Sequence, residues 1–182
     1  DPEFADLTEI PSAVTTLVPE GGVLRLYDDL TLSSSSLAFN TGAVIDLNYH
    51  RLSIVGAALN IGGSAKLTVK NGTLDASEAP NVLYAAHTGV TGGASFTGVT
   101  LITKDGGVPF DFRGGTLELD GCVFNDPDAN FLTCSRYKIG FPIKVTLSDC
   151  VITCNTLLYA SGNSQNATPY VHDVDLTATG CT

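Results

Sequence analysis

Leu67-Thr-Val-Lys-Asn-Gly-Thr-Leu74 alternates apolar and polar side chains, breaks at Asn71-Gly72, and resumes on an apolar residue. Its order is apolar, polar, apolar, polar, turn residue, small, polar, apolar. Ala94-Ser-Phe-Thr-Gly-Val-Thr-Leu101 repeats that order, as do Leu117-Glu-Leu-Asp-Gly-Cys-Val-Phe124 and Val145-Thr-Leu-Ser-Asp-Cys-Val-Ile152. Leu176-Thr-Ala-Thr-Gly-Cys-Thr182 carries most of another copy. Upstream, Ile45-Asp-Leu-Asn-Tyr-His-Arg-Leu52 fits the frame, and Leu24-Arg-Leu-Tyr-Asp-Asp-Leu30 fits with one residue missing. Self-similarity at such a period decides the fold before any single element is assigned.

The sixth position of each copy is held by His50, Gly72, Val99, Cys122, Cys150 and Cys181, at intervals of 22, 27, 23, 28 and 31 residues. A second frame checks the first. Segments starting at Leu37, Leu59, Leu83, Phe110, Leu132 and Leu158 recur at 22, 24, 27, 22 and 26 residues, in phase with it. Within each unit the alternation is that of strands, as in Leu52-Ser-Ile54, Leu59-Asn-Ile61 and Phe110-Asp-Phe112. Short strands separated by Gly, Asn, Ser and Asp match a parallel β-solenoid, in which a coil buries its apolar face only by stacking on its neighbours. The period predicts an all-β, right-handed parallel β-helix of about six to seven coils, stacked at ~4.8 Å into a rod of roughly 30 Å. A leucine-rich repeat competes and fails, because no segment between strands carries a helical stripe. The variable period argues against the regular hexapeptide solenoid.

The first four residues, Asp1 to Phe4, read as linker sequence left by cloning and are excluded from the fold. In residues 5–19, Leu7, Ile10, Val14 and Leu17 follow helical steps behind Pro11, which predicts a short helix capping the first coil. Residues 20–182 form the β-helix. Thr182 stops inside a repeat, so further coils of a longer parent chain or a subunit partner are expected at that end.

The 182 residues carry 9 basic and 19 acidic side chains, a net charge of −10. Scattered basic residues in so acidic a chain exclude nucleic acid, whose binding depends on phosphate neutralisation. No run approaches the ~20 apolar residues that span a bilayer, so membrane insertion is not expected. The 43% hydrophobic content argues for a buried core rather than disorder.

The run Ile45-Asp-Leu-Asn-Tyr-His-Arg-Leu-Ser-Ile54, with Leu67-Thr-Val-Lys-Asn-Gly-Thr-Leu74 behind it, resembles right-handed β-helix proteins of the pectin-lyase-like superfamily. It looks most like repetitive bacterial surface proteins and phage tail-spike or tail-fibre segments, over residues 20–80 in particular. Tyr49 and Arg51 stand where those proteins usually have Gly and Thr. The resemblance implies an extracellular, cell-surface or virion protein that binds or cleaves polysaccharide. Fold alone does not choose between the two.

Cleavage needs clustered carboxylates, either holding Ca²⁺ against an acidic sugar beside a base or flanking a glycosidic bond. The nearest material is Asp111, Asp126 and Asp128 with Arg136 and Lys138. These share no obvious column, and Asp126-Pro-Asp128 is also an ordinary turn former. No catalytic residue is assigned. His50, His87 and His172 occupy different coil positions with no nucleophile placed beside them. The five cysteines lack metal-ligand spacing, and neither metal nor other cofactor is expected. Cys122 and Cys150 sit in one column about 5 Å apart, within disulfide reach. Stacked parallel side chains point the same way, however, which favours a ladder of buried thiols. Asn71-Gly-Thr73 and Asn166-Ala-Thr168 read as glycosylation acceptors only in a eukaryotic secretory context, and the turn position of Asn71 gives it a structural role.

One column suggests binding. Alternating with the core residues of the third strand are Ala38, Asn60, Tyr84, Asp111, Thr133 and Tyr159, which period two turns outward on one flat sheet. Two tyrosines with amide, carboxylate and hydroxyl groups between them suit a sugar chain or a protein surface. The reading is a non-enzymatic adhesion or receptor-binding module for a glycan or protein receptor. A polysaccharide lyase or glycosidase is the alternative, and a structural spacer that trimerises through a solenoid face is a third.

Overall fold

A computed structural model of the chain describes residues 22–33, 37–40, 42–85, 90–112, 114–134, 143–160 and 174–182. The linker, the capping segment 5–19, Arg136, Lys138, His87, His172 and Asn166 lie outside them. Every element among the described residues is a strand. The first coil contributes β1 (Gly22–Arg25), β2 (Leu30–Ser33) and β3 (Leu37–Phe39), and the next β4 (Ala43–Asp46), β5 (Arg51–Val55) and β6 (Leu59–Ile61). Then follow the long β7 (Lys66–Glu78) with β8 (Leu83–Ala85), and β9 (Gly93–Thr103) with β10 (Phe110–Phe112). β11 (Gly115–Asp120), β12 (Val123–Asn125), β13 (Asn130–Cys134), β14 (Ile143–Ser148), β15 (Val151–Thr153), β16 (Thr156–Ala160) and β17 (Val174–Thr179) complete the set.

All strand pairs are parallel, and each joins one coil to the next. On the first face β1, β4, β7, β9, β11, β14 and β17 stack in that order. The second face stacks β2, β5, the C-terminal half of β7, the same half of β9, β12 and β15. The third face is a separate six-stranded sheet of β3, β6, β8, β10, β13 and β16. The chain is therefore an all-β parallel solenoid.

The third-face frame matches the sequence frame residue for residue: Leu37, Leu59, Leu83, Phe110, Leu132 and Leu158 stand in one register. On the first face the copies from Leu67 onward also align as the sequence does. The two upstream copies align with each other as the sequence does, but stand two residues out of frame with the copy at Leu67. Leu67 pairs with Ala43 rather than Ile45, and Ile45 pairs with Leu24. Relative to the stretch from Leu67 to Leu74, the corner of the first coil holds one extra residue and that of the second coil two, and there Leu26 and Leu47 are buried and imitate strand positions.

Between the first and second faces the chain turns through left-handed backbone at Asn71 (φ 60°), Gly98 (φ 60°), Gly121 (φ 59°), Asp149 (φ 51°) and Gly180 (φ 67°). These are the turn residues of the repeat, and Gly, Asn and Asp are the types that occupy this region at least cost. In the larger second corner, Asn48 and Tyr49 have φ of 48° and 66°. His50 N donates to Leu47 O at 2.8 Å, closing a tight turn that Tyr49 accommodates with its ring in solvent.

The interior is an apolar column filled by inward Leu, Ile, Val and Phe. Phe96 meets Phe110 edge-on at 5.4 Å, Phe110 meets Phe131 at 5.3 Å, and Phe131 meets Phe124 at 5.2 Å. Such pairs stabilise by ~0.5–1.5 kcal/mol each beyond the area they bury. Cys122 and Cys150 are free thiols, not a disulfide. Cys122 Sγ donates to Phe96 O at 3.3 Å and Cys150 Sγ to Ser148 O at 3.2 Å, so each thiol is turned toward a main-chain carbonyl. Burial pushes the Cys122 thiol up to about 11 and also raises Cys150, which keeps both protonated at neutral pH.

Candidate functional site

The register of the third sheet sets Asn60 opposite Ala38 and Tyr84, Asp111 opposite Tyr84 and Thr133, and Thr133 opposite Tyr159. Each of the column's residues from Asn60 to Thr133 is flanked by buried partners: Leu59 and Ile61, Leu83 and Ala85, Phe110 and Phe112, Leu132 and Cys134. The alternation therefore turns the polar column away from the core. Asn60, Tyr84, Asp111 and Thr133 are half-buried, and Tyr159 is 49% exposed. Tyr84 and Tyr159 stand three rungs apart, roughly 14 Å at the ~4.8 Å strand spacing. Asp111 is close enough to act on its surroundings electrostatically. Burial first, and the Asp111 charge second, push the neighbouring Cys134 thiol up to about 11.

The acidic residues considered for cleavage are arranged differently. Asp111 lies on the third sheet, whereas Asp126 and Asp128 form the corner after β12. Asp126 Oδ2 accepts from Gly106 N of the preceding coil at 2.9 Å, and its Oδ1 accepts from Asp128 N at 3.0 Å. Oδ2 of Asp126 thus ties its corner to the preceding one while Oδ1 closes its own turn, which is a turn-forming role. A carboxylate held by two main-chain donors is a poor general base.

That corner borders a feature the repeat did not indicate. A shallow groove of about 410 Å³ runs along the second face between the corners at Asp105 and Asp128, floored by Thr100, Ile102, Val123 and Asn125. Its wall at Asp105 exists because Lys104–Pro109, at six residues, is a longer corner than the three of Gly56–Ala58 and the four of Ala79–Val82, and corner length carries no periodic signal.

Asp46 is the one buried charged residue among the described residues, at 5% exposure. Its Oδ1 accepts from Asn48 N at 3.1 Å and Asn71 Nδ2 at 3.2 Å, while Oδ2 accepts from Arg25 Nε at 3.3 Å and Nη2 at 3.2 Å. Lys70 Nζ lies 3.6 Å away. Burial alone would raise this carboxyl, but the bonds from Asn71 and Asn48 with the two cations hold it below its ordinary value of 3.8. Asn71, the glycosylation candidate, is thus a structural donor in a left-handed corner.

Asp28, Asp29 and His50 bring potential ligand atoms within 4.8 Å of one another. Two of the carboxylate oxygens already serve main-chain donors: Asp29 Oδ1 accepts from Arg51 N and Asp28 Oδ1 from Asp29 N, each at 2.8 Å. His50 Nδ1 is 3.7 Å from Asp29 Oδ1, so His50 belongs to an ordinary polar corner.

Comparison with protein-family models, curated proteins and solved structures returns no match for this chain.

Proposed function

We propose that this solenoid is a non-enzymatic binding module of the adhesion or receptor-binding kind, holding an extended glycan along its third face. The reading rests on the shared register of Asn60, Tyr84, Asp111, Thr133 and Tyr159. An extended polysaccharide repeats along its axis at a spacing close to that between strands. Successive sugars could therefore meet the tyrosine faces, which offer area with a polar tip, and the amide, carboxylate and hydroxyl between them. A module of this kind belongs on a cell surface or virion, where such chains are displayed.

Polysaccharide cleavage is less favoured, because Asp126 is committed to main-chain donors and Asp111 stands on another face. A glycan array tests the proposal. Binding by the parent protein should be lost in Tyr84→Ala and Tyr159→Ala, with circular dichroism unchanged. Undiminished binding by both variants would overturn it, as would new reducing ends or unsaturated products on incubation with the bound polysaccharide.

A further inference from the structure

The outer surface of the second face changes character as it rises through the coils. Register lays Thr73 on Arg51, Thr100 on Thr73, Val123 on Thr100 and Val151 on Val123. One outward column thus passes from a cation through two hydroxyls to two valines, 40% and 49% exposed. In the adjoining column Ile102 stands on Asp75. Where the lower coils carry the Arg51–Asp75 ion pair at 3.0 Å, the higher ones present aliphatic side chains at outward positions.

Ile102 and Val123 floor the groove of about 410 Å³ between β9 and β12. Its rim is acidic. Asp105 stands on the long corner after β9, and Asp126 and Asp128 stand on the corner after β12. Asp126 is occupied by main-chain donors. The carboxylates of Asp105 and Asp128 are exposed and meet neither a cation nor a hydrogen-bond donor among the described residues. Lys104 belongs to the same corner as Asp105 but lies outside the lining, which includes no cationic side chain. An aliphatic floor beneath uncompensated carboxylates is complementary to one kind of group, an aliphatic stem that ends in a positive charge.

We propose that this groove binds an extended basic segment of a partner protein, which lays lysine or arginine stems on Ile102 and Val123 and brings their heads to Asp105 and Asp128. The volume of the groove seats a short stretch of chain rather than a folded domain. The net charge of −10 attracts such a segment from a distance, and the rim charges select it on contact. An acidic glycan or a nucleic acid meets like charge here. A neutral or amino sugar finds no aromatic face to stack on, because the one ring lining the groove, Phe124, is 2% exposed. The groove lies on a different face from the tyrosine column and does not depend on it.

Fluorescence anisotropy on the full chain tests this with a labelled octapeptide of Lys-Thr repeats, whose alternation puts every lysine on one side of an extended strand. The peptide should bind, and more weakly as salt is raised, whereas an octapeptide of Glu-Thr repeats should not bind. Asp105→Asn combined with Asp128→Asn should weaken binding roughly 5- to 30-fold, the loss of two surface ion pairs. Glu118→Gln combined with Asp120→Asn, an equal change of charge on the first face, should weaken it less than about twofold. Val123→Ser should also weaken it, because the floor is lost while the charge is kept. Since neither rim carboxylate has a partner among the described residues, circular dichroism of the rim variant should match the parent. Absence of binding by the Lys-Thr peptide, equal losses in the two charge-matched variants, undiminished affinity in Val123→Ser, or tighter binding of a glucosamine oligomer than of the peptide would each overturn the proposal. Tyr84→Ala should keep full affinity for the peptide, which separates a failure here from a failure of the glycan column.

Discussion

Replacing Asp46 by Ala should destabilise the protein by about 4 kcal/mol, from hydrogen bonds lost between the first three coils. Asn48 N and Asn71 Nδ2 lose their acceptor at half-buried positions, at ~1–1.5 kcal/mol each. The paired Arg25 bonds to a buried carboxylate add ~1–1.5 kcal/mol, held down because the Arg25 side chain is half exposed and recovers water. Lys70, at 3.6 Å and partly exposed, adds a few tenths of a kcal/mol. Urea unfolding followed by circular dichroism measures the difference, with an unchanged denaturant slope showing that the unfolded state is not the source. The pH dependence gives an independent check. Because the folded-state value of Asp46 is depressed, its stabilisation is complete above the ordinary 3.8 and is lost as pH falls through the lower folded value. Asp46→Ala should therefore lose less stability than the parent on acidification below about pH 4. A destabilisation under ~1 kcal/mol, or an acid slope identical to the parent's, would refute the assignment of these bonds as the clamp between coils.

Phe110→Ala, which removes a ring touching both Phe96 and Phe131, should cost ~3–5 kcal/mol in the same urea assay, and a cost near that of a surface change would contradict the aromatic stack. Gly92→Ala should destabilise strongly, by ~2 kcal/mol or more, because the added carbon would press on the main chain of Ser64 and Ala65; a neutral result in thermal melts would show that the coils part there readily. Thiol labelling at pH 8 should leave Cys122, Cys134 and Cys150 unmodified in the folded protein, since burial keeps them protonated, and should count five thiols after denaturation without reductant. Asp75, held low by Ser77 and Arg51 against its own burial, contributes to the same acid-side loss as Asp46, so Asp75→Asn should also flatten the profile below about pH 4.

The third-face frame from Leu37 to Leu158 was legible because those strands are short, separated by turn residues, and strictly alternating. The frame slipped by two residues between Ile45 and Leu67 for a physical reason. Leu26 and Leu47 continue the alternation into the corner and are buried there, so pattern alone cannot distinguish an inward corner residue from a strand residue. Asp126 shows the same boundary from another side. Its turn-forming composition was visible, but its bond to Gly106 depends on which corner lies above which.

Residue order by itself determined that this chain coils into stacked parallel strands, because alternation and period act locally and repeat. It also placed Asn60, Tyr84, Asp111, Thr133 and Tyr159 in one outward column. Only the tertiary structure decided how the Asp46 carboxylate binds the first three coils together and how Asp126 ties two corners. These contacts join residues about twenty or more positions apart through corners of unequal length. Their geometry is fixed only once each coil has settled on the one before it.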